Sequence, residues 1–155
     1  MQNFDQALNG LETELRFKDF INNHGFNAIK VGPAYDIHHH FDINISANIE
    51  IKGMKALRRG EETQDEWHWL EIRGVRDEGW IYGSHADIIA FETKKSWILV
   101  RPTSLIDYVQ RFVEHTFVDK PILAQYKLYQ RHNRDDAITL VSTDDLRRIG
   151  LEWSK

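Results

Sequence analysis

Cysteine is absent from this chain. Among its 155 residues there are 0 Cys, which excludes disulfides, thiolate zinc sites and cysteine nucleophiles, so stability has to come from packing. No stretch approaches the roughly 20 apolar residues that span a bilayer. The first ten residues lack the basic segment followed by an apolar run that marks a secretory signal. We therefore expect a soluble, cytoplasmic protein with no membrane partner.

The chain also lacks an overall excess of positive charge. Its formal net charge of -4 argues against a surface that binds nucleic acid everywhere, because nonspecific affinity comes mainly from neutralising phosphates. The bases are instead local. Residues 52–59, KGMKALRR, which we call the basic segment, carry four Lys or Arg residues and no acid, whereas residues 61–78 are rich in Glu and Asp. Enzymes that bind metal through carboxylates can keep their bases in such a patch.

Length and periodicity together predict the fold class. A chain of 155 residues with 41% hydrophobic residues is long enough for one well-buried core, so we expect a single domain over residues 1–155. Apolar steps of three and four predict a helix over residues 5–23, and a capping-box-like Ser104 predicts a second helix over residues 105–115. Ser142 or Thr143 is expected to cap a third, shorter helix. Alternating patterns predict strands at 26–31, 35–45, 49–52, 67–73, 86–92, 96–100, 126–130 and 137–141. This order indicates an α/β fold with a mixed, mostly antiparallel central sheet flanked by helices.

The segment FDINISANIEIK, residues 41–52, carries the most specific pattern. Its alternation predicts a β-hairpin that turns near Ala47 and sets Asp42 across from Lys52, with Glu50 on the same face. Carboxylates there would offer the hard oxygen ligands that Mg²⁺ prefers, and an ammonium group beside them could neutralise charge on a phosphate transition state. The alternative is a solvated strand face on which Asp42 and Lys52 form only a cross-strand ion pair.

The order of a helix glutamate, an Asp strand and a Glu-x-Lys strand resembles the PD-(D/E)XK nuclease superfamily. The motif here is Asp42, seven residues, and then the tripeptide Glu50-Ile51-Lys52. Residues 14–26 are similar to the opening helix of the archaeal Holliday-junction resolvases within that superfamily, where a helix glutamate joins the metal site. In this chain that glutamate is Glu14.

The resemblance implies a restriction-endonuclease-like fold and metal-dependent hydrolysis of phosphodiester bonds, with DNA as the expected substrate. Asp42, Glu50 and Glu14 would bind Mg²⁺, for which Mn²⁺ can substitute, and Lys52 would assist the attacking water. Members of the superfamily often dimerise to cut two strands, so a homodimer is one of the assemblies that the resemblance allows.

Basic and histidine residues near the motif are the expected nucleic-acid contacts. Lys55, Arg58 and Arg59 are expected to hold the backbone, and His40 is expected to donate a proton or contact a phosphate. The run His38 to His40 also admits a zinc site. The alternative is that these are polar surface histidines near the path of the phosphates.

A second Asp…Glu-x-Lys match occurs at Asp87, Glu92 and Lys94. Its Glu and Lys fall at the expected tip of a hairpin, where a solvated charge run explains them better and where metal ligands would be poorly fixed. We expect Asp87 to satisfy a turn or an arginine.

Aromatic residues are dense beside the basic segment, at Trp67, Trp69, Trp80 and Tyr82. Stacking on bases is the functional interpretation of these rings. Core packing is the alternative, and we expect it for at least half of them, because aromatic side chains dominate burial in small domains.

The sequence is therefore compatible with three functions. The first is a Mg²⁺-dependent endonuclease. The second is a nuclease-fold protein that binds nucleic acid or a protein partner without cutting, which the acidic net charge and Phe41, in the place of the superfamily's proline, both favour. The third is a metal hydrolase based on His38 and His40.

Overall fold

The computed structural model describes the backbone of residues 2–32 and 42–155, with side chains from residue 11 onward. The chain divides into two compact units, residues 1–47 and 48–155, and each is described by itself. The expectation of a single domain stays a prediction. In the part of the chain that the structure describes, no helix is long and apolar enough to cross a membrane.

The smaller unit is a helix followed by a two-stranded antiparallel sheet. Helix α1 spans Gln2–Asn23, strand β1 spans Asn27–Lys30 and strand β2 spans Ile43–Ser46. The chain leaves the helix through Gly25, whose φ of 91° lies in the left-handed region that favours glycine. The Asn22 side chain then accepts a hydrogen bond from the Ala28 amide at 2.7 Å, which ties the helix end to β1. The predicted first helix and first strand are confirmed.

The larger unit contains the other strands and helices of the described residues. Its strands are β3 Ile49–Lys52, β4 Trp67–Arg73, β5 Ile88–Glu92, β6 Ser96–Val100, β7 Glu114–Val118, β8 Lys127–Tyr129, β9 Ala137–Ser142 and β10 Leu151–Ser154. Its helices are α2 Trp80–Gly83, α3 Pro102–Phe112 and α4 Thr143–Ile149, with a 3-10 turn at Pro121–Leu123. One sheet has the order β10-β6-β5-β3 and the other β4-β9-β8-β7.

Strand pairing in these sheets is mixed and mostly antiparallel. Only the β3–β5 and β7–β8 pairs are parallel among the described strands. The prediction of an α/β fold with mixed, mostly antiparallel sheets is therefore confirmed, although the described strands form three sheets rather than one.

One hydrophobic cluster links both sheets of the larger unit to its three helices. It includes Leu70 from β4, Phe91 from β5 and Val100 from β6, together with Leu105 from α3 and Leu146 from α4. β5 has the continuous apolar sequence that is typical of a strand buried on both faces, and its first four residues are all buried. Burying each large side chain contributes about 1.5–3 kcal/mol to the stability of the fold. This cluster therefore holds in place the strands and helices that carry the surface residues.

The predicted hairpin over residues 41–52 is wrong. β2 pairs with β1, and β3 pairs in parallel with β5. The start of β3 is held there because the Asp87 carboxylate accepts a hydrogen bond from the Asn48 amide at 2.8 Å, while the Asn48 carbonyl accepts one from the Asp87 amide at 2.9 Å. Asp87 thus joins the starts of two strands, and the expectation that it satisfies a turn or an arginine is wrong.

Burial along β3 is also opposite to the prediction. Ile51 is 66% exposed and Ile49 is 46% exposed, whereas Glu50 and Lys52 are half-buried. β3 is the edge strand of its sheet, and its charged side chains lie on the face that packs against Trp80. Apolar and charged residues do alternate between the two faces of β3, but the buried face is the one that carries the charged side chains.

Helix α3 begins earlier and ends earlier than predicted. Arg101 is its N-cap and Pro102 occupies the first turn, where the fixed φ of proline and its missing N–H suit a helix start. The helix ends at Phe112, and the next residues form β7 instead of continuing the helix. The short helix after β9 is as predicted, and the Ser142 side chain accepts a hydrogen bond from the Asp145 amide.

Substituting Ser142 and Ser104 by alanine tests which of these two serines caps a helix. Ser142→Ala should lower the free energy of unfolding by about 1 kcal/mol, because it leaves the first turn of α4 without its side-chain acceptor. Ser104→Ala should change it by only a few tenths of a kcal/mol, since Ser104 lies inside α3 and is not its cap. Urea unfolding of both variants measures this, and a larger loss for Ser104→Ala would contradict the observed start of α3.

Candidate functional site

A carboxylate and an ammonium group form the centre of the site on β3. Glu50 and Lys52 are two residues apart, so both side chains leave the same face of the strand. The Lys52 ammonium forms an ion pair with Oε1 of Glu50, and their side chains are only 23% and 28% exposed, respectively. A pair this shielded from water interacts more strongly than an exposed one.

Trp80 covers the ammonium group of this pair. Lys52 Nζ lies 3.9 Å from the centre of the Trp80 ring, which is the geometry of a cation–π contact. Gly79 makes this placement possible, because a Cβ at this position would lie 1.9 Å from the carbonyl oxygen of Glu71 on β4. The Gly79 amide also donates a hydrogen bond to the Ile72 carbonyl at 3.2 Å. Any other residue at 79 would push α2, and Trp80 with it, away from β4.

Glu50 is held in its ionised form. Partial burial raises the pKa of this carboxyl, but hydrogen bonds from Lys52 and Ser84 and the charge of Lys52 outweigh it, so the pKa lies below the usual range. Glu50 therefore carries a full negative charge at neutral pH, as a ligand for a hard cation requires.

A cleft of about 760 Å³ opens beside this pair in the larger unit. Its charged lining residues are Lys55, Arg58, Arg59, Arg131, Arg134 and Glu71, so five cations face a single carboxylate. The rings of Trp69, Trp80 and Tyr129 contribute the aromatic part of its wall. Low-dielectric walls focus the field of such a cluster, so the cleft attracts anions.

Arg131 is fixed in the wall of the cleft by two carboxylates. Its Nε donates to Oδ2 of Asp136, which is fully buried, and its Nη2 donates to Oε2 of Glu71 at 3.1 Å. The Asp136 carboxylate also accepts the Arg131 amide at 3.0 Å. An arginine held in this way loses little side-chain entropy when it binds a phosphate.

A narrow recess of about 110 Å³, lined in part by Lys52, adjoins the cleft. The two spaces share four lining residues, which are Lys55, Trp69, Glu71 and Trp80. Lys52 and His68 line the recess and not the cleft. Lys52 thus lies beside the cleft, behind part of its basic, aromatic wall.

His68 is the buried polar group of this recess. It is 4% exposed, its ring meets Phe91 edge-on at 5.2 Å, and its Nε2 has no hydrogen-bond partner within the described part of the chain. Burial lowers its pKa to about 4, with Asp65 opposing the shift and Arg147 adding to it. His68 is therefore neutral at physiological pH.

The structure brings together five of the predicted site residues. Glu50 and Lys52 pair on β3, and Lys55, Arg58 and Arg59 line the cleft. Arg131 and Arg134, which no sequence pattern marks as site residues, add two cations to the cleft from the turn between β8 and β9. Their signal in the sequence is the run RHNR, which by pattern alone is only a connection between two strands.

The remaining predicted residues belong to the smaller unit or lie outside the described residues. Glu14 forms an ion pair with Lys30 on β1. The Asp42 carbonyl accepts a hydrogen bond from the Val31 amide at 2.9 Å, just before β2. His40 lies outside the described residues, as does His38. That Glu14 and Asp42 share a metal site with Glu50 stays a prediction.

The second Asp…Glu-x-Lys match has structural partners for its charges. Glu92, at the end of β5, accepts a hydrogen bond from Lys155 Nζ at 2.9 Å. The Lys94 amide donates to the Asp65 carboxylate at 2.8 Å. These charges stabilise the chain around the β5–β6 turn, outside the cleft.

The site fits some metals better than others. Within residues 2–32 and 42–155, no three His, Cys, Asp or Glu side chains lie together in a group that could hold a metal ion. A closed tetrahedral zinc centre therefore does not fit these residues. Mg²⁺ needs fewer protein ligands, since it keeps several waters and commonly binds through one or two carboxylates and substrate phosphates. Glu50 is an ionised carboxylate of the kind that such a site would use.

Comparisons with protein-family models, with curated proteins and with solved structures found no match to this chain. What the site does has to be inferred from its own chemistry. That chemistry is an ionised carboxylate, a shielded ammonium group and a cationic, aromatic cleft.

Acid should destabilise this protein through His68. Because the pKa of His68 falls from 6.5 to about 4 on folding, the unfolded chain binds this proton at a higher pH than the folded chain does. The stability is present above pH 6.5 and is lost as the pH falls toward 4. Between pH 7 and pH 5 the loss is about 2 kcal/mol.

His68→Phe should remove this contribution. In urea unfolding, the difference in stability between pH 7 and pH 5 should be about 2 kcal/mol smaller in the variant than in the wild type. His115→Phe is the matched control, because His115 is exposed on β7, and it should leave the difference unchanged. An undiminished loss in His68→Phe would show that other groups cause the acid sensitivity.

Proposed function

We propose that this protein is a metal-dependent nuclease of restriction-endonuclease-like fold that hydrolyses phosphodiester bonds, with DNA as its substrate. The observation that supports this most is the Glu50–Lys52 pair, whose lysine lines a recess that shares wall residues with a cleft carrying five cations. Hydrolysis of a phosphodiester needs a negative metal ligand, a positive group near the attacked phosphorus and a path that binds the backbone. All three features occur together in the larger unit.

Glu50 acts as the metal ligand in this proposal. Its carboxylate is ionised at neutral pH and only partly shielded, so it can reach a hydrated cation. Mg²⁺, when bound, supplies positive charge to the phosphate oxygens and a water of lowered pKa. The superfamily motif adds Asp42 and Glu14 to the ligand set, with Mn²⁺ as a substitute metal.

Lys52 orients the attacking water and neutralises charge on the phosphate. A lysine ammonium has three N–H donors, and one of them is directed to Glu50. The Trp80 ring restricts the direction of the side chain, so the remaining donors are available at a fixed position. Preorganised donors of this kind are worth more than mobile ones because they need no reorganisation during the reaction.

The cations of the cleft hold the backbone. Lys55, Arg58 and Arg59 follow Lys52 in the chain and Arg131 and Arg134 face them from the β8–β9 turn. Each neutralised phosphate releases counterions, so binding should weaken steeply with salt. A local patch of this kind explains how a chain with a net charge of -4 can bind a polyanion.

A protein that binds nucleic acid without cutting it is the second candidate. One observation favours it: the described residues contain no group of three metal-ligand side chains. In that case the cleft would bind the strand, and Glu50 and Lys52 would stabilise one another without further chemistry.

Two matched glutamates test the nuclease proposal. With Mg²⁺ or Mn²⁺, the wild-type protein should cut linear, branched or single-stranded DNA, and Glu50→Gln should reduce the rate by about three orders of magnitude, because several kcal/mol of metal-assisted stabilisation are lost. Glu92→Gln is the control, since Glu92 also pairs with a lysine but lies outside the cleft. It should retain the wild-type rate.

Calorimetric titration with Mn²⁺ separates the two candidates. A nuclease should bind the metal, and Glu50→Gln should weaken that binding while Glu92→Gln does not. If no DNA or RNA is cut and Glu50→Gln binds Mn²⁺ as the wild type does, the nuclease assignment is wrong.

A further inference from the structure

The size of the cleft limits what can enter it. Its volume of about 760 Å³ lies within the 300–1,000 Å³ of pockets that enclose small organic ligands. Two stacked nucleotides of one strand fill such a space, which leaves no room for a complementary strand paired with them. Proteins that bind an intact duplex contact its phosphates and grooves from outside, and for that they need no enclosed space.

The aromatic rings of the cleft are not fully used by packing. Trp69, Trp80 and Tyr129 are each only partly buried, and the rings of Trp69 and Tyr129 are 6.4 Å apart with a tilt of 42°. Trp69 Nε1 donates to the Ala56 carbonyl at 3.4 Å, so its polar atom is engaged in holding the basic segment. What Trp69 offers to the cleft is its apolar ring, a surface on which a base can stack.

Cations surround these rings on two sides. Arg58 and Arg59 lie on the basic segment and are exposed, as is Arg134 on the opposite side. Arg131 is held by Asp136 and Glu71 through its Nε and Nη2, and no hydrogen bond engages its Nη1 in the described residues. Phosphates complement these charges, and bases complement the rings between them. An acidic protein surface would satisfy the charges only.

We infer that the cleft binds an unpaired segment of nucleic acid, with bases stacked on Trp69 and its neighbouring rings and phosphates held by Arg131, Arg134 and the basic segment. The binding itself does not depend on catalysis. Its consequence for cleavage rests on the proposed function: a strand in the cleft reaches the recess that Lys52 lines, so the preferred substrate is a single strand or a single-stranded tail, rather than a blunt duplex.

Fluorescence anisotropy with EDTA present tests the binding without any metal or cleavage. The ligands are a labelled deoxythymidine dodecamer, its abasic counterpart with the same phosphates, a uridine dodecamer and a blunt duplex of the same length. We expect the thymidine strand to bind about tenfold or more tightly than the abasic strand and the duplex, because stacking contributes with every base. Equal affinity for the abasic strand would overturn the inference, and so would equal or tighter binding of the duplex.

The uridine strand, which carries a ribose and lacks the methyl group of thymine, tests whether the cleft distinguishes RNA from DNA. Binding of both single strands supports a cleft that reads bases and phosphates alone. Tighter binding of the uridine strand by about tenfold supports an RNA substrate, and the reverse supports DNA. Failure of both single strands to bind more tightly than the duplex overturns the inference.

Matched tryptophan variants locate the binding. Trp69→Leu should weaken binding of the thymidine strand by about tenfold or more, whereas Trp69→Phe, which keeps a stacking ring, should remain within about threefold of the wild type. Trp153→Leu is the control, because Trp153 is an exposed residue of β10 outside the cleft. Wild-type affinity in Trp69→Leu would overturn the inference. If that variant does not fold, the abasic comparison with the wild-type protein decides.

These experiments distinguish failure of the single-strand binding proposal from failure of the nuclease proposal. Tight binding of the thymidine strand in EDTA without any metal-dependent cutting supports the cleft and contradicts the nuclease. Metal-dependent cutting of blunt duplex, with no preference for single strands in binding, overturns the cleft and leaves the nuclease standing.

Discussion

The parallel pairing of β3 with β5 is the constraint on which the site depends. β5 is buried on both faces, so it has one position in the core. Asn48 and Asp87 join the two strands at their starts through a backbone and a side-chain hydrogen bond. The rest of β3 keeps this register, so Glu50, two residues after Asn48, and Lys52, four residues after it, lie on the face that meets Trp80. A hairpin between residues 41 and 52 would have tied these charges to a neighbour in sequence instead of to the core.

The charges of the cleft are balanced so that its anion-binding capacity survives. Asp136 and Glu71 both bind Arg131. Lys55, Arg59 and Arg134 have no carboxylate partner among the described residues. Burying a carboxylate alone is costly, but a buried carboxylate that holds an arginine is compensated by that arginine. Asp136 therefore acts as a positioning residue. Its buried carboxylate fixes the guanidinium group of Arg131 in the wall of the cleft.

The sequence predicted most elements, because periodicity reports which residues are buried. β4, the β5–β6 hairpin and α4 follow their patterns closely, and charge and spacing point to Glu50, Lys52 and the basic segment as parts of the candidate site. Strand partners could not be predicted, since an alternating strand does not encode its neighbour; β3 was therefore paired with β2 instead of β5. Arg131 and Arg134 were missed for a similar reason, because only the fold brings the β8–β9 turn opposite the basic segment.

The shielding of Lys52 has a consequence for how the pair works. An ammonium group that is held by Glu50 and covered by Trp80 can be approached from few directions, so it is a poor general contact for a passing polyanion. The exposed cations of the cleft are suited to that task, since they can adapt to a moving strand. In the proposed function, binding and chemistry are thus divided between two sets of cations in the larger unit: those that line the cleft bind the strand, and Lys52 in the adjoining recess assists the reaction. An unpaired strand is the ligand that we propose for both sets, because two of its nucleotides fill the cleft and the rings of the cleft offer stacking surfaces.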